Sequence, residues 1–162
     1  MKRSLSLIIA TCTLSTVAFG MQQKMIEMKK IHALGQALID TVDQDLPQIH
    51  EIMAKTEKFL TSNPNKSKLF LKFLNTRDYY NRSTLILATI FSRKSLITTL
   101  IEEANKYLDG EQFDLFINAC GYDGKTAIDV ANFYAIDSYN LKAITDNNKI
   151  LRLQTLKRQN AP

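Results

Sequence analysis

The chain has 162 residues, 45% of them hydrophobic and 23% charged, with a net charge of +5. That length suits one domain, and the positive charge is too small and too scattered to argue for nucleic-acid binding. Of the two cysteines only Cys120 lies beyond the N-terminal twenty residues, so no internal disulfide can replace an apolar core there.

The first segment, residues 1–20, reads as a secretory signal peptide. Lys2 and Arg3 form a short basic region, and Leu5 to Phe19 is apolar or small and uncharged. Ala18-Phe19-Gly20 then places small residues at the −3 and −1 positions of a cleavage site. The apolar run, broken by Ser and Thr, is shorter than a spanning helix needs, and an uncleaved anchor is the alternative. Export to the periplasm or the extracellular medium is the expectation, with no stable membrane insertion after cleavage. Setting Lys2 and Arg3 aside lowers the net charge from +5 to +3.

Residues 21–162 form the expected single domain. Residues 21–34 carry a helical pattern with Met25, Met28, Ile31, His32 and Ala33 near one face, and Gly35 interrupts it. Residues 36–43 are a short helix candidate. Asp45 can cap a helix with Pro47 in its first turn and Ile49, Ile52, Met53, Phe59 and Leu60 on its apolar side. Ser62-Asn63-Pro64-Asn65 breaks the pattern. Further helices are expected over residues 68–74, 84–91 and 95–107, the last with two adjoining rows, Leu96-Leu100-Ala104 and Ile97-Ile101-Leu108. Asp109-Gly110 reads as its end, with glycine as a left-handed cap. Helices over 112–117, 126–134 and 139–145 and a final one after Asn147 complete the prediction. No stretch has the alternation of a strand.

The sequence from Phe73 to Ala88 recurs 43 residues later, from Phe116 to Ala131. Phe, Asn, Tyr and Ala are identical at matched positions, and Leu74/Ile117, Arg82/Lys125, Ser83/Thr126, Leu85/Ile128 and Leu87/Val130 are close exchanges. A period of this size marks a stacked-repeat architecture, in which each unit has a one-sided apolar face that a neighbour must cover. Ala88 and Ala131 fall where helices would approach closest.

A loop, a short helix opening at Thr, a tight turn and a longer helix together resemble the ankyrin repeat. The family pattern, Asp-x-x-Gly-x-Thr-Pro-Leu-His-x-Ala, takes the register of Asp78 to Ala88, and Gly124-Lys125-Thr126-Ala127-Ile128-Asp129-Val130-Ala131 matches it again. Ser92 stands where the turn glycine would be, and a worn copy lies upstream around Leu38, Asp45, Ile49, Ile52 and Met53. The chain departs from the family in lacking Pro and His: Ile86 and Asp129 occupy the His position, so the usual Thr–His bonds are lost. Its period is 43 residues rather than about 33, the excess lying around Phe70/Phe73 and Phe113/Phe116 as an extra helical turn or short helix. The resemblance implies an all-α, ankyrin-like solenoid of about three repeats, roughly 35–60, 75–108 and 118–146, with terminal capping helices. The repeat, the signal peptide and the sparse catalytic inventory together lead to the expectation of a non-enzymatic, cofactor-free, monomeric protein-binding module.

Catalytic or metal chemistry finds little support. Gly124-Lys125-Thr126 resembles the end of a phosphate loop, but Ala119 replaces its first glycine and no strand precedes it. His32 and His50 are far from each other and from cysteine, and Cys120 has no cation beside it in sequence. Asp40, Asp43 and Asp45 fit helix capping better than calcium binding. The repeat register points instead to loop tips and the end of the first helix as the contact surface: Tyr79, Tyr80, Arg82, Phe91, Tyr122, Asp123, Lys125, Phe133 and Tyr134. Aromatic and Arg side chains are common interface anchors. Two arrangements stay open: the aromatics face solvent, or the extra helical segments fold over them. A small-ligand or enzymatic pocket formed by those segments is the alternative function.

Overall fold

The computed structural model describes residues 2–44, 46–133 and 146, with side chains from Gly20 onward except that of Leu46. The protein is all-α. Its helices are α1 (Lys2–Asp40), α2 (Leu46–Thr61), α3 (Lys66–Leu74), α4 (Thr84–Ile90), α5 (Lys94–Tyr107), α6 (Gly110–Ile117) and α7 (Ala127–Phe133). Among the described residues there is no strand, only an isolated bridge between Arg77 and Ser83. No described helix is long and apolar enough to cross a membrane. The helices expected over 139–145 and after Asn147 lie outside the described residues.

Repetition is visible in the backbone itself. α3 and α6 end 43 residues apart on Asn75 and Asn118, both with φ −92° and ψ 12°. α4 and α7 span equivalent residues, Thr84–Ile90 and Ala127–Phe133. The loops between are hydrogen-bonded alike. The Asp78 N–H donates to the Arg82 carbonyl at 3.1 Å and Asn81 N–H to Asp78 at 3.0 Å; Gly121 N–H donates to Lys125 at 2.9 Å and Gly124 N–H to Gly121 at 3.1 Å. Both tips turn through a left-handed residue, Asn81 at φ 58° and Gly124 at φ 73°. Asn and Gly are the residues that adopt this conformation at least cost.

Two helices of the first unit pack on their equivalents in the next, α3 on α6 and α4 on α7, while α1 packs against α2, α3 and α4. The extra segments foreseen around the phenylalanines are α3 and α6, and they form the centre of the core. Phe70, Phe73, Phe113 and Phe116 are all buried, and Tyr107 leans on Phe70 with ring centroids 4.8 Å apart. Burial of one such ring contributes about 2–3 kcal/mol. Ala88 and Ala131 are buried as well, and a larger side chain there would overpack the core.

Polar side chains tie the units together at their edges. Ser67 Oγ donates to Gln112 Oε1 across α3 and α6, and Arg93 donates to the Asp43 carbonyl. Glu57 on α2 accepts from Lys106 at 2.5 Å and from the Tyr107 hydroxyl at 3.0 Å on α5.

Two expectations require correction. Gly35 does not interrupt a helix: α1 runs through it without a break. A Cβ at Gly35 would collide with the Thr76 side chain and come within 2.9 Å of the Phe73 carbonyl oxygen, so the glycine serves close approach of α1 to the end of α3. The buried residues of α1 are Ile31, Gly35, Leu38 and Ile39, with Val42 buried in the turn that follows, while Met25, His32 and Ala33 are exposed. Asp109-Gly110 does not cap α5 either. The Asp109 carboxylate accepts from the Gln112 N–H at 2.8 Å and opens α6, whose first residue is Gly110. In place of the lost Thr–His bonds, Asp129 partners Thr126. Its carboxylate accepts from the Thr126 N–H at 2.9 Å and hydroxyl at 2.7 Å, and its own N–H reaches Thr126 Oγ1 at 3.3 Å. This is a capping box closed by Asp, and those bonds from Thr126 hold the Asp129 carboxyl below the usual carboxylate range. The equivalent Ser83 accepts from the Ile86 N–H at 3.4 Å.

Gly35 and Ser92 make opposite predictions. Gly35→Ala is expected to destabilise the protein by about 2 kcal/mol, because overpacking exceeds the helix-propensity gain of about 1 kcal/mol. Ser92 sits in the left-handed region at φ 54°, so Ser92→Gly is expected to stabilise it by about 0.5–1 kcal/mol. Urea unfolding of the two variants beside the parent checks both signs.

Candidate functional site

The tip conformation decides where the loop side chains go. Tyr79 and Tyr80 occupy the centre of a turn closed by left-handed Asn81, the arrangement of a three-residue hairpin loop. Central turn residues have no strand or helix to cover them. Tyr79 is 94% exposed and Tyr80 64%; on the equivalent loop Tyr122 is 90% exposed. The rings of Tyr79 and Tyr80 meet edge to face at 5.3 Å.

Between the two loops lies a groove of about 470 Å³, whose rim includes Tyr79, Tyr80, Arg82, Tyr122, Asp123 and Lys125. Its floor comes from Ile86 and Ile90 of α4, Val130 and Phe133 of α7, and Gly121. Phe133 is 69% exposed. Seven of the nine residues expected at a contact surface therefore line one groove. Phe91, 47% exposed at the end of α4, lies apart from it, and Tyr134 is outside the described residues. α3 and α6 do not fold over these aromatics; their own rings fill the core instead.

Of the floor, Phe133 was among the expected contact residues, whereas Ile86, Val130 and Gly121 were not; Ile86 and Val130 are largely buried. Gly121, which stands where the first unit has Asp78, lines the groove beside them. A Cβ there would lie 3.4 Å from Asp123 Oδ1 and 3.7 Å from Ile86 Cδ1, both ordinary van der Waals contacts.

The groove's charges are paired within each loop. Asp78 accepts from the Arg82 N–H at 2.7 Å and pairs with its guanidinium at 2.6 Å. That guanidinium also lies 4.8 Å from the centre of the Tyr80 ring. The second loop, lacking Asp at the equivalent position, uses Asp123: its carboxylate accepts from the Lys125 N–H at 3.2 Å and lies 3.4 Å from the ammonium. The backbone bond from Lys125, followed by its side chain, holds the Asp123 carboxyl below the usual carboxylate range. Lys125 Nζ in turn sits 4.5 Å over the Phe133 ring. Each cation thus has an acid and an aromatic face, a combination that fixes a long side chain and its ring together.

Arg77 joins the two loops. Its Nη1 donates to the carbonyl of Cys120 at 3.0 Å, the residue 43 positions later that occupies Arg77's own place in the second unit. Burial draws the guanidinium below the ordinary arginine value, and the bond to a main-chain oxygen compensates for part of its lost hydration. Cys120 is exposed, as are His32 and His50. Among the described residues no three His, Cys, Asp or Glu side chains gather in a way that could hold a metal ion. A shallower depression of about 280 Å³ lies on α6, lined by Glu111, Asp114, Leu115 and Asn118.

What the groove offers is a surface of rigid aromatic rings with paired charges at its rim. Comparison of the chain with protein-family models, with curated proteins and with solved structures returns no match.

Proposed function

We propose that this protein is a divergent, ankyrin-like helical repeat module that is exported from the cytoplasm and binds a partner protein, without catalysis of its own. The observation that carries the proposal is the convergence of Tyr79, Tyr80, Tyr122 and Phe133, all exposed, around one groove between equivalent loops. A cluster of large aromatics open to water loses hydration favourably when covered, and contiguous exposed apolar patches mark interaction sites. The stacking of α3 on α6 and α4 on α7 supports a solenoid, since each unit finds the cover for its apolar face in the next. The left-handed Ser92, in the place of the family's turn glycine, supports the ankyrin-like register.

A direct test is capture from an extract of the native source on immobilised protein. The Tyr79→Ala, Tyr122→Ala, Phe133→Ala triple variant should keep its circular dichroism and lose the proteins that the parent retains. Truncation of anchors of this kind costs about ten- to a hundredfold in affinity each. Retention of the same proteins by the folded variant would remove the groove as the binding surface.

Export rests on Lys2, Arg3, the apolar run and Ala18-Phe19-Gly20. N-terminal sequencing of protein recovered from the native source should begin at Met21. A chain that still begins at Met1 would overturn it.

A further inference from the structure

We infer that α6 and α7 close the stack: the face of the second unit turned away from the first is a polar cap that takes no further unit and keeps copies of the chain apart. This goes beyond the binding role given above and does not depend on it. The first unit is covered on this side by the second, so it shows which positions lie in the seam, and their equivalents can be followed 43 residues later.

On α3 the seam is marked by Ser67, whose hydroxyl donates to Gln112 on α6. Leu71 and Asn75 lie one and two turns further along the same helix face, and both are partly covered. On α4 it is marked by Ile86, whose Cδ1 would lie 3.7 Å from a Cβ on Gly121 of the second unit. Thr89 follows three residues on, and Ile86 and Thr89 are both buried. The seam side of the first unit thus presents Ser67, Leu71 and Asn75 from α3, and Ile86 and Thr89 from α4.

In the second unit the same positions are Gly110, Asp114, Asn118, Asp129 and Asn132. All of them are exposed, and a Cβ at Gly110 would find nothing within 4 Å. Two aliphatic side chains have become carboxylates, Leu71 to Asp114 and Ile86 to Asp129, and the buried Thr89 has become Asn132. Leu115, 57% exposed, is an apolar residue beside Asp114 on α6. Its equivalent, Lys72, is exposed although the first unit is covered, so that position lies off the seam.

Stacked repeats need a terminal unit with a polar outer face, because an apolar one left open would recruit further units or further chains. Asp114 and Asp129 meet that need. Covering them would strip two carboxylates of their hydration, and a second copy of the same face would bring the same acids to the contact. Asp129 also accepts from Thr126 at the start of α7, so one side chain both caps the helix and keeps the face in water.

The experiment restores the first unit's residues to the second and measures molar mass by sedimentation equilibrium. The full chain should keep the mass of one molecule across about a hundredfold range of concentration. The Asp114→Leu, Asp129→Ile, Asn132→Thr variant should associate reversibly, its mass rising about twofold as two altered faces meet. Loss of Asp129 also removes the bonds to Thr126, so the Asp114→Leu, Asn132→Thr variant is measured beside it. That variant should keep the circular dichroism of the parent and associate more weakly. A Ser95→Ile, Glu102→Leu variant, altered at two exposed positions of α5, should stay a single molecule and separates stacking from general stickiness. Folded variants of the outer face that remain single molecules would overturn the inference. So would a parent chain that itself associates, or association of the α5 variant to the same degree.

Discussion

Four buried phenylalanines govern this structure. Phe70 and Phe73 on α3, and Phe113 and Phe116 on α6, occupy the centre of one continuous core. Neither helix is long enough to be stable by itself, so each exists because its apolar side is covered. α3 supplies cover to α6 and receives it from α1, α2 and α5. Once those two helices are stacked, the loops that follow them are brought into the same register, and the tips at Tyr79 and Tyr122 stand side by side. The groove is a consequence of that register.

Within the shared frame the two units differ in ways that matter at the surface. Asp78 fixes Arg82 from inside the first loop, whereas the second loop has Gly121 at that place and fixes Lys125 from the tip with Asp123. The exchange preserves a paired cation over an aromatic ring in both units and at the same time removes a side chain from between them. Both loops line the groove of about 470 Å³ between them.

Much of this was legible in the residues. The paired segments at Phe73 and Phe116 gave the period and the register of the loops between them. Asn75 and Asn118 ended their helices as matched positions should. Whether Tyr79, Tyr80 and Tyr122 face solvent or lie under the added helices was open in the sequence; their place at the centre of those turns accounts for the exposure found. Gly35 was misleading, because a helix-breaking residue and a residue that permits close helix approach look the same until the neighbour is known. Asp109-Gly110 was ambiguous in the same way: Asp can open a helix as readily as Gly can close one. Ile86 and Val130 carry no mark in sequence that separates a core position from the floor of a groove, since that depends on which residues stand opposite.

The central claim is that the aromatics divide into two sets, one hidden in the seam between units and one presented to solvent at the tips. Paramagnetic broadening of side-chain resonances by a soluble, inert relaxation agent measures this division directly. The ring signals of Tyr79, Tyr80, Tyr122 and Phe133 should broaden strongly, while those of Phe70, Phe73, Phe113 and Phe116 should be unaffected. Protection of the tip rings to the same degree as the core rings would contradict the account.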